Sequence, residues 1–583
     1  MLSPAWLFAF ALAASARAAE PVKNPDTYVL AEQAESNSLD PAWDYDAVSG
    51  AVVENLYDYL FTFEAGSTEK LLPALAAKVP SKENGLISPD GLTYRIPIRK
   101  GVKFHDGSVM TVEDVRYSLL RFMLQDRASG PSGLLLEPLL GYASTRDAKG
   151  VLNKQAFHDA VRAVEADGDD AIVLKLPRPF APLLTVLASW CPVVSKRWAI
   201  RNDDWHGTEG TWAKFNNPSK QTSPFFAGEM GTGPFKLVRW DRKLREAVLV
   251  RHDAYWRGPA KLSRVVVKTV PEFGTRRLML LAGDADVIAA DRSEISQLQG
   301  QPGVTVIDDL PALALDPILF FSYKINPEAN PFIGSGKLDG EGIPPDFFSD
   351  VNIRRGVAYS IDYAALIADV YRGKGIQAPG AIPKGLPGFN PDQPVYKFDR
   401  AKAIENFKRS HDGRLWEKGF RFTLTYNAGK TAHRILCSML KKNIESLNPK
   451  FRVEIRALDW PAFLDAANSG RMPLPIMTWS ADYPDPHDFA YPLMHSRGVF
   501  PAVQKYSDSE ADRIVEDALK ETDPAKRVKL YARLQEVEHE DVPHIVLVDQ
   551  ARFRVQRSWV KGWTHSPIHQ PEGGLLYPIF KAP

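Results

Sequence analysis

Cysteine is nearly absent: Cys191 and Cys437 are the only two in 583 residues. That excludes a disulfide-stapled scaffold and a cysteine-rich metal site. Charge excess is absent as well, with 72 Lys and Arg against 71 Asp and Glu. No run of like charge breaks this balance, and the basic surface that nucleic acid requires is missing. No internal repeat occurs, and no apolar stretch after the first turns of chain is long enough to cross a bilayer. Catalytic signatures are missing too: there is no G-x-S-x-G elbow and no H-E-x-x-H. Gly429-Lys430-Thr431 lies between a strand and a helix pattern, as a phosphate loop would, but Leu424 stands where its first glycine belongs. Gly231-Thr232-Gly233 leads into a strand rather than a helix, so it is no dinucleotide fingerprint.

What is present is ordinary globular composition, 44% hydrophobic and 25% charged. Residues 6–14 form an apolar run of export-signal length, and Ala16-Arg17-Ala18 supplies the small residues of a cleavage site. Residues 1–18 are therefore expected to be a signal peptide, although no Lys or Arg precedes the apolar run. No cysteine follows the cleavage site, so the protein is expected to be periplasmic and not lipid-anchored. Loss of Arg17 with the leader makes the mature chain neutral. Its length suits about three or four domains rather than one core.

The segment 91–122, GLTYRIPIRKGVKFHDGSVMTVEDVRYSLLRF, carries the most local information. Leu92, Tyr94, Ile96 and Ile98 alternate with Thr93, Arg95, Pro97 and Arg99, the period of a half-buried strand. Pro97 cannot donate to a ladder, which predicts an edge or a bulge. His105-Asp106-Gly107-Ser108 reads as a tight turn. Thr111 and Asp114 form a capping-box pair, with Met110 and Val115 placed as a hydrophobic staple. Val112, Val115, Leu119 and Phe122 then mark one buried helical face. Farther on, strand-like 422–426, a helical face of Ile435, Met439, Leu440, Ile444 and Leu447, and strand-like 451–457 predict a βαβ unit. The stretches 201–231 and 326–350, rich in Gly, Pro, Asn and Ser, are expected to be loops outside the core.

This wording resembles the extracellular solute-binding proteins of family 5, the peptide-binding components of ABC importers, whose members run close to "tyxfxLRkgvkFhdGxpltaeDVxxsl". Further landmarks follow in family order: Ser38-Leu39-Asp40-Pro41 with residues 53–58 (VENLYD), 231–237 (GTGPFKL), 251–256 (RHDAYW), 281–287 (LAGDADV) and 351–362 (VNIRRGVAYSID). The resemblance covers essentially the whole mature chain. It implies an α/β, two-lobed periplasmic-binding-protein fold with an extra subdomain inserted in the first lobe. Residues 19–63, 206–311 and 549–583 are expected to form lobe 1, 64–205 the inserted subdomain, and 312–548 lobe 2, with two crossing strands as hinge. A Cys191–Cys437 bridge would lock that hinge, so two buried thiols are expected instead.

Residues 477–486, MTWSADYPDP, follow a buried run and end in two prolines, so the backbone must leave its strand there. They resemble the family segment "gWxaDYpDP". In peptide-binding members the Asp after the small residue (here Ala481) holds the ligand α-ammonium, which puts Asp482 in that role. The alternative is a carboxylate capping its own turn. Trp479 and Tyr483 either wall the pocket or serve as core aromatics. On the opposite lobe the resemblance places Trp43, Asp44 and Tyr45 beside the ligand, or else they form a surface loop. One departure stands out: some oligopeptide binders carry an Arg three residues before the Trp for the ligand carboxylate, and here that residue is Ile476. Asp482, Asp485, His487 and Asp488 are an alternative metal set, and His539 with His544 a weaker pair.

The resemblance therefore implies a non-enzymatic protein without a cofactor, monomeric, that delivers a peptide or other small-molecule ligand to an ABC permease complex in the inner membrane. An oligosaccharide, an opine or a chelated metal such as nickel is the alternative ligand class. An exported hydrolase is the alternative from another class.

Overall fold

The architecture is that of a computed structural model, which describes residues 21–128, 130–147, 149–428, 430–568 and 571–583. The signal peptide expected at 1–18 lies outside the described residues.

Strand Thr27–Glu32 occupies the middle of a seven-stranded sheet. It runs parallel to Arg264–Thr269 on one side and to Val287–Ile288 on the other. Antiparallel strands Glu246–Arg251 and Phe235–Asp241 extend one edge. Arg552–Arg557 and Val304–Leu310 extend the other. Three segments distant in sequence thus share one ladder.

A second sheet is centred on Ala314–Phe320, flanked by Ile476–Ser480 and by His544–Val546 and Val548–Asp549. The predicted βαβ unit lies beside it: Phe420–Asn427, helix Thr431–Glu445 and Phe451–Leu458, with the strands parallel. A bridge between Thr425 and Pro475 joins the unit to the second sheet. The chain passes between the two sheets just after Leu310 and again just before Arg552. Leu310 pairs with Arg552 on one side of the passage and Leu315 with Asp549 on the other, so the two crossing strands stay neighbours. Two short extended crossings between separately cored sheets are the geometry of a hinge.

Strand Thr93–Pro97 stands at one end of a three-stranded antiparallel sheet, consistent with Pro97 lacking a donor. The turn after it closes through Phe104 N donating to Ser108 O at 2.8 Å, with Gly107 at φ +85°. Helix Val112–Gln125 starts at the predicted capping box, Thr111 N donating to Asp114 Oδ2 at 2.9 Å and Asp114 N to Thr111 Oγ1 at 3.3 Å. Met110 and Val115 are both buried. This small sheet shares one apolar core with the seven-stranded sheet, running from Tyr28 and Val265 through Ile96 and Phe122.

The sequence landmarks prove to be buried anchors. Asp40 receives both terminal nitrogens of Arg121 at 2.8 Å, and Asp204 takes the Nε of the same guanidinium at 2.7 Å. Asp58 gathers Thr232 at 2.8 Å, Tyr255 at 2.8 Å and Trp256 at 3.1 Å, tying three landmarks together. Asp286 accepts from Val29 N, Trp559 Nε1 and the Lys581 ammonium. Arg354 donates to the carbonyls of Phe348, Ser349, Asp541 and Val542. Each closes a contact between remote segments, because a buried charge is tolerated only with a full set of partners.

One expectation is corrected. Residues 201–231 and 326–350 do contribute core: Trp205, Trp212 and Phe225 are buried in the first cluster, and Ile333, Ile343, Phe347 and Phe348 in a separate one. Turn-forming residues there shape the backbone, while the aromatic and branched side chains between them decide burial. Cys191 and Cys437 are both free and buried, as expected.

Candidate ligand-binding cleft

Strand Ile476–Ser480 runs antiparallel to Ala314–Phe320 and ends at a loop that Pro484 and Pro486 keep from rejoining the ladder. Two carboxylates hold this loop. Asp485 accepts His487 N at 2.8 Å, and Arg527 clamps both its oxygens at 2.6 Å. Asp488, in the first turn of helix His487–Met494, accepts Asp482 N at 2.6 Å, and its carbonyl accepts Trp479 Nε1 at 2.7 Å. Ala481 N donates to Leu313 O at 2.8 Å, which fastens the loop to a crossing strand. The turn-capping work thus falls to Asp485 and Asp488, and the Asp482 carboxylate is free of its own turn.

That carboxylate points across the cleft. Tyr45 Oη donates to Asp482 Oδ2 at 2.6 Å, and Trp190 Nε1 donates to the Asp482 carbonyl at 2.7 Å. The Tyr45 and Trp190 rings meet edge to face, with centroids 5.4 Å apart. Among the described residues, no ion pair involves Asp482 or Asp488. Burial accordingly pushes the Asp482 carboxyl up to about 6. Asp488 is raised well above the usual carboxylate range too, by burial and by the neighbouring Asp482 charge. Asp44 is also well above the usual carboxylate range, through burial and the charge of Asp46. Buried acids without a matching cation are poised to receive one.

A cavity of about 450 Å³ opens beside Asp482, lined by Tyr45, Asp44, Trp190, Trp479 and Ala481 among others. Among the described residues, its Lys and Arg lining is Arg552, from a crossing strand. A second cavity of about 290 Å³ meets it at Tyr59, Ser189 and Ile568. A third, of about 220 Å³, meets it at Trp479 and Asp482.

The structure therefore brings Asp482, Ala481, Trp479 and Tyr45 to one cavity wall, and sets two predicted residues elsewhere. Tyr483 is 5% exposed; it belongs to the core and to the wall of the 220 Å³ cavity. Trp43 does not line the large cavity. Its ring lies under the Arg127 guanidinium, 4.0 Å from the centroid. Trp190 was not singled out in the sequence, Thr478 only as part of the 477–486 segment, and Asp488 only as a member of the alternative metal set. Asp488 carried a signal, a carboxylate in the first turn of the helix that follows the prolines; Trp190 carried none. Ile476 is 1% exposed and faces the core, so that position offers the cleft nothing. The metal alternative is corrected as well. Among the described residues no group of three metal-ligating side chains assembles, and Asp485 is taken by Arg527.

The family profile described as "Bacterial extracellular solute-binding proteins, family 5 Middle" matches residues 70–501. The chain belongs to this family. Family 5 proteins are non-enzymatic transport components, so the hydrolase alternative falls. This family 5 protein is similar to heme-binding protein A of Haemophilus influenzae, 26% identical with 88% of this chain and 85% of the relative covered. It is similar also to the dipeptide-binding protein of Escherichia coli, 25% identical over 88% of this chain and 87% of the relative. Among solved structures, the periplasmic binding protein DppA of Helicobacter pylori in complex with the peptide STSA superposes with a TM-score of 0.71. It is 23% identical, with 95% of this chain and 98% of that one covered. The shared fold is the two-lobed periplasmic-binding-protein fold. No helix among the described residues is long and apolar enough to cross a membrane.

Proposed function

We infer that this protein is the substrate-binding component of an ABC importer, capturing peptides between its lobes and delivering them to an inner-membrane permease. The observation that carries this reading is Asp482. Its carboxylate is released from capping by Asp485 and Asp488, makes no ion pair among the described residues, and faces a cavity walled by both halves of the molecule. A peptide α-ammonium supplies the missing charge, and a charge-assisted hydrogen bond strengthens as the cleft excludes water. Relatives named for dipeptide binding and a structural neighbour holding a peptide support the ligand class. Trp479, Ala481 and Tyr45 form the walls around the ammonium site, with Tyr483 behind them. Lobe 1 takes 19–63, 206–311 and 549–583, the inserted subdomain 64–205, and lobe 2 takes 312–548, with closure about the crossings near Leu310 and Arg552. The protein acts as a monomer in the periplasm. Only a ligand that touches both lobes shifts the open–closed equilibrium, because closure needs differential affinity.

The deciding experiment is mass spectrometry of small molecules released on denaturing protein purified from a periplasmic extract. Peptides with free N-termini are expected. A single non-peptide species would sink the peptide reading and leave Asp482 another role.

A further inference from the structure

Strand Phe235–Asp241 is one edge of the seven-stranded sheet, and it turns back into Glu246–Arg251 through residues 242–245, RKLR. The turn is tied down on both sides. Asp241 accepts Lys243 N at 2.9 Å and Leu244 N at 3.0 Å, and Thr269 N donates to the Arg245 carbonyl at 2.8 Å. Leu244 is thereby held at the tip, 65% exposed and outside every apolar cluster of the described residues. A lone exposed leucine is ordinary. This one stands between Lys243 and Arg245, neither of which makes an ion pair among the described residues. Behind the tip, Arg242 Nε donates to Glu35 Oε1 at 2.9 Å, and its guanidinium lies 5.2 Å from the Trp240 centroid and 5.8 Å from that of Phe226. The Lys220 ammonium stands over Phe226 as well, at 5.8 Å. In a chain whose charges nearly balance, residues 239–246 set Arg239, Arg242, Lys243 and Arg245 against only Asp241 and Glu246.

We propose that this hairpin tip is a contact site for an anionic lipid surface, with Lys243 and Arg245 at the headgroups and Leu244 at the hydrocarbon boundary. A bilayer presents negative charge in a plane, with apolar chains directly beneath it. A leucine held between two unpaired cations meets those layers in that order. Aromatic rings beside Lys and Arg, as Trp240 and Phe226 are here, are the composition that settles at such boundaries. The unpaired cations supply the attraction, each worth about a fivefold gain in binding near an anionic surface. The adjoining edge offers little to a second protein strand, because the ladder shifts register between Leu237 and Arg239 and such a bulge blunts an edge. Two free cations and one leucine make a weak, reversible contact. That suits a carrier that must reach a membrane protein and leave it again, and it does not depend on which ligand is carried.

Sedimentation with vesicles of phosphatidylglycerol and phosphatidylethanolamine, against vesicles of phosphatidylcholine alone, tests this on protein purified from a periplasmic extract. At low salt, partitioning to the anionic vesicles is expected to be about 10- to 30-fold stronger, the contribution of two cations. High salt should abolish the difference. Lys243→Gln combined with Arg245→Gln should bring the anionic vesicles to the level of the neutral ones. Leu244→Ser should weaken anionic binding about fivefold, the loss of part of one leucine burial. Arg242 is left in place because it holds Glu35, and an unchanged unfolding midpoint reports that each variant is folded. Equal partitioning of the unaltered protein to both kinds of vesicle would overturn the proposal. So would an anionic preference that survives the double variant, or one that ignores Leu244→Ser.

Discussion

Tyr45 and Asp482, 437 positions apart in sequence, are joined by a 2.6 Å hydrogen bond across the cleft. The phenol donates to a carboxylate that has no ion-pair partner among the described residues, so it is a principal polar link between the halves. Tyr45→Phe keeps the ring packed on Trp190 and deletes only that link. The ligand-free protein is then expected to open more readily. Small-angle scattering should report a larger radius of gyration for the variant without peptide and the same radius with it. An unchanged ligand-free radius would mean that the remaining contacts, the Trp190–Asp482 hydrogen bond among them, hold the lobes together.

Proton linkage follows from the same carboxylate. Without ligand the Asp482 pKa is raised to about 6 by burial, so near pH 5 the group is mostly protonated. A bound ammonium favours the charged form, and binding must then expel a proton. Affinity should therefore climb as pH rises from about 5 to about 7 and fall again as the ligand ammonium deprotonates above about pH 8. Calorimetry in two buffers of different ionisation heat should show close to one proton released at the lower pH and almost none at the upper. Asp482→Asn should flatten the profile and weaken binding by roughly tenfold or more. A flat profile in the unaltered protein would remove Asp482 as the ammonium partner.

The elements that could be read from the sequence are those governed by local rules. Alternation set the strand ending at Pro97, capping chemistry started the helix after Thr111, and two prolines ended the strand before Asp482. The βαβ unit was legible for the same reason, since its periodicities switch within one short stretch. Residues 201–231 misled because their turn-forming composition says nothing about Trp205, Trp212 and Phe225, whose burial depends on surfaces supplied from elsewhere. The cleft was half legible. Asp482 stands in a recognisable segment, but Trp190 reaches it from a helix end with no pattern of its own, and neighbours Trp43 and Tyr45 diverge to different surroundings. Only the folded chain decides such pairings.

The buried charge network behind Ser38-Leu39-Asp40-Pro41 gives a stability prediction. Arg121 is 1% exposed and is the shared partner of Asp40 and Asp204. Its attraction holds the Asp40 carboxyl below the usual range in spite of burial. Arg121→Met keeps much of the volume but strands two carboxylates, a change that typically costs about 3–5 kcal/mol. Denaturant unfolding should show that loss, and adding Asp40→Asn and Asp204→Asn to the variant should recover part of it. A loss under about 1 kcal/mol would mean that water reaches the network.

Glu32 provides a pH test of the opposite kind. It ends the central strand Thr27–Glu32, is 8% exposed, and burial together with the Glu572 charge raises it from 4.5 to about 7. Between those values the folded protein binds a proton that the unfolded chain has released. A raised carboxyl pKa therefore adds no penalty at low pH and destabilises increasingly as pH rises from about 4.5 to about 7, after which the penalty is constant. Glu32→Gln imitates the protonated form at every pH. Its stability relative to the parent should be near zero at about pH 4 and should grow to roughly 1–3 kcal/mol by about pH 8. Paired unfolding curves at the two pH values decide the matter. A constant difference would show that Glu32 titrates alike in the folded and unfolded chain, with the Arg276 charge offsetting burial at this site.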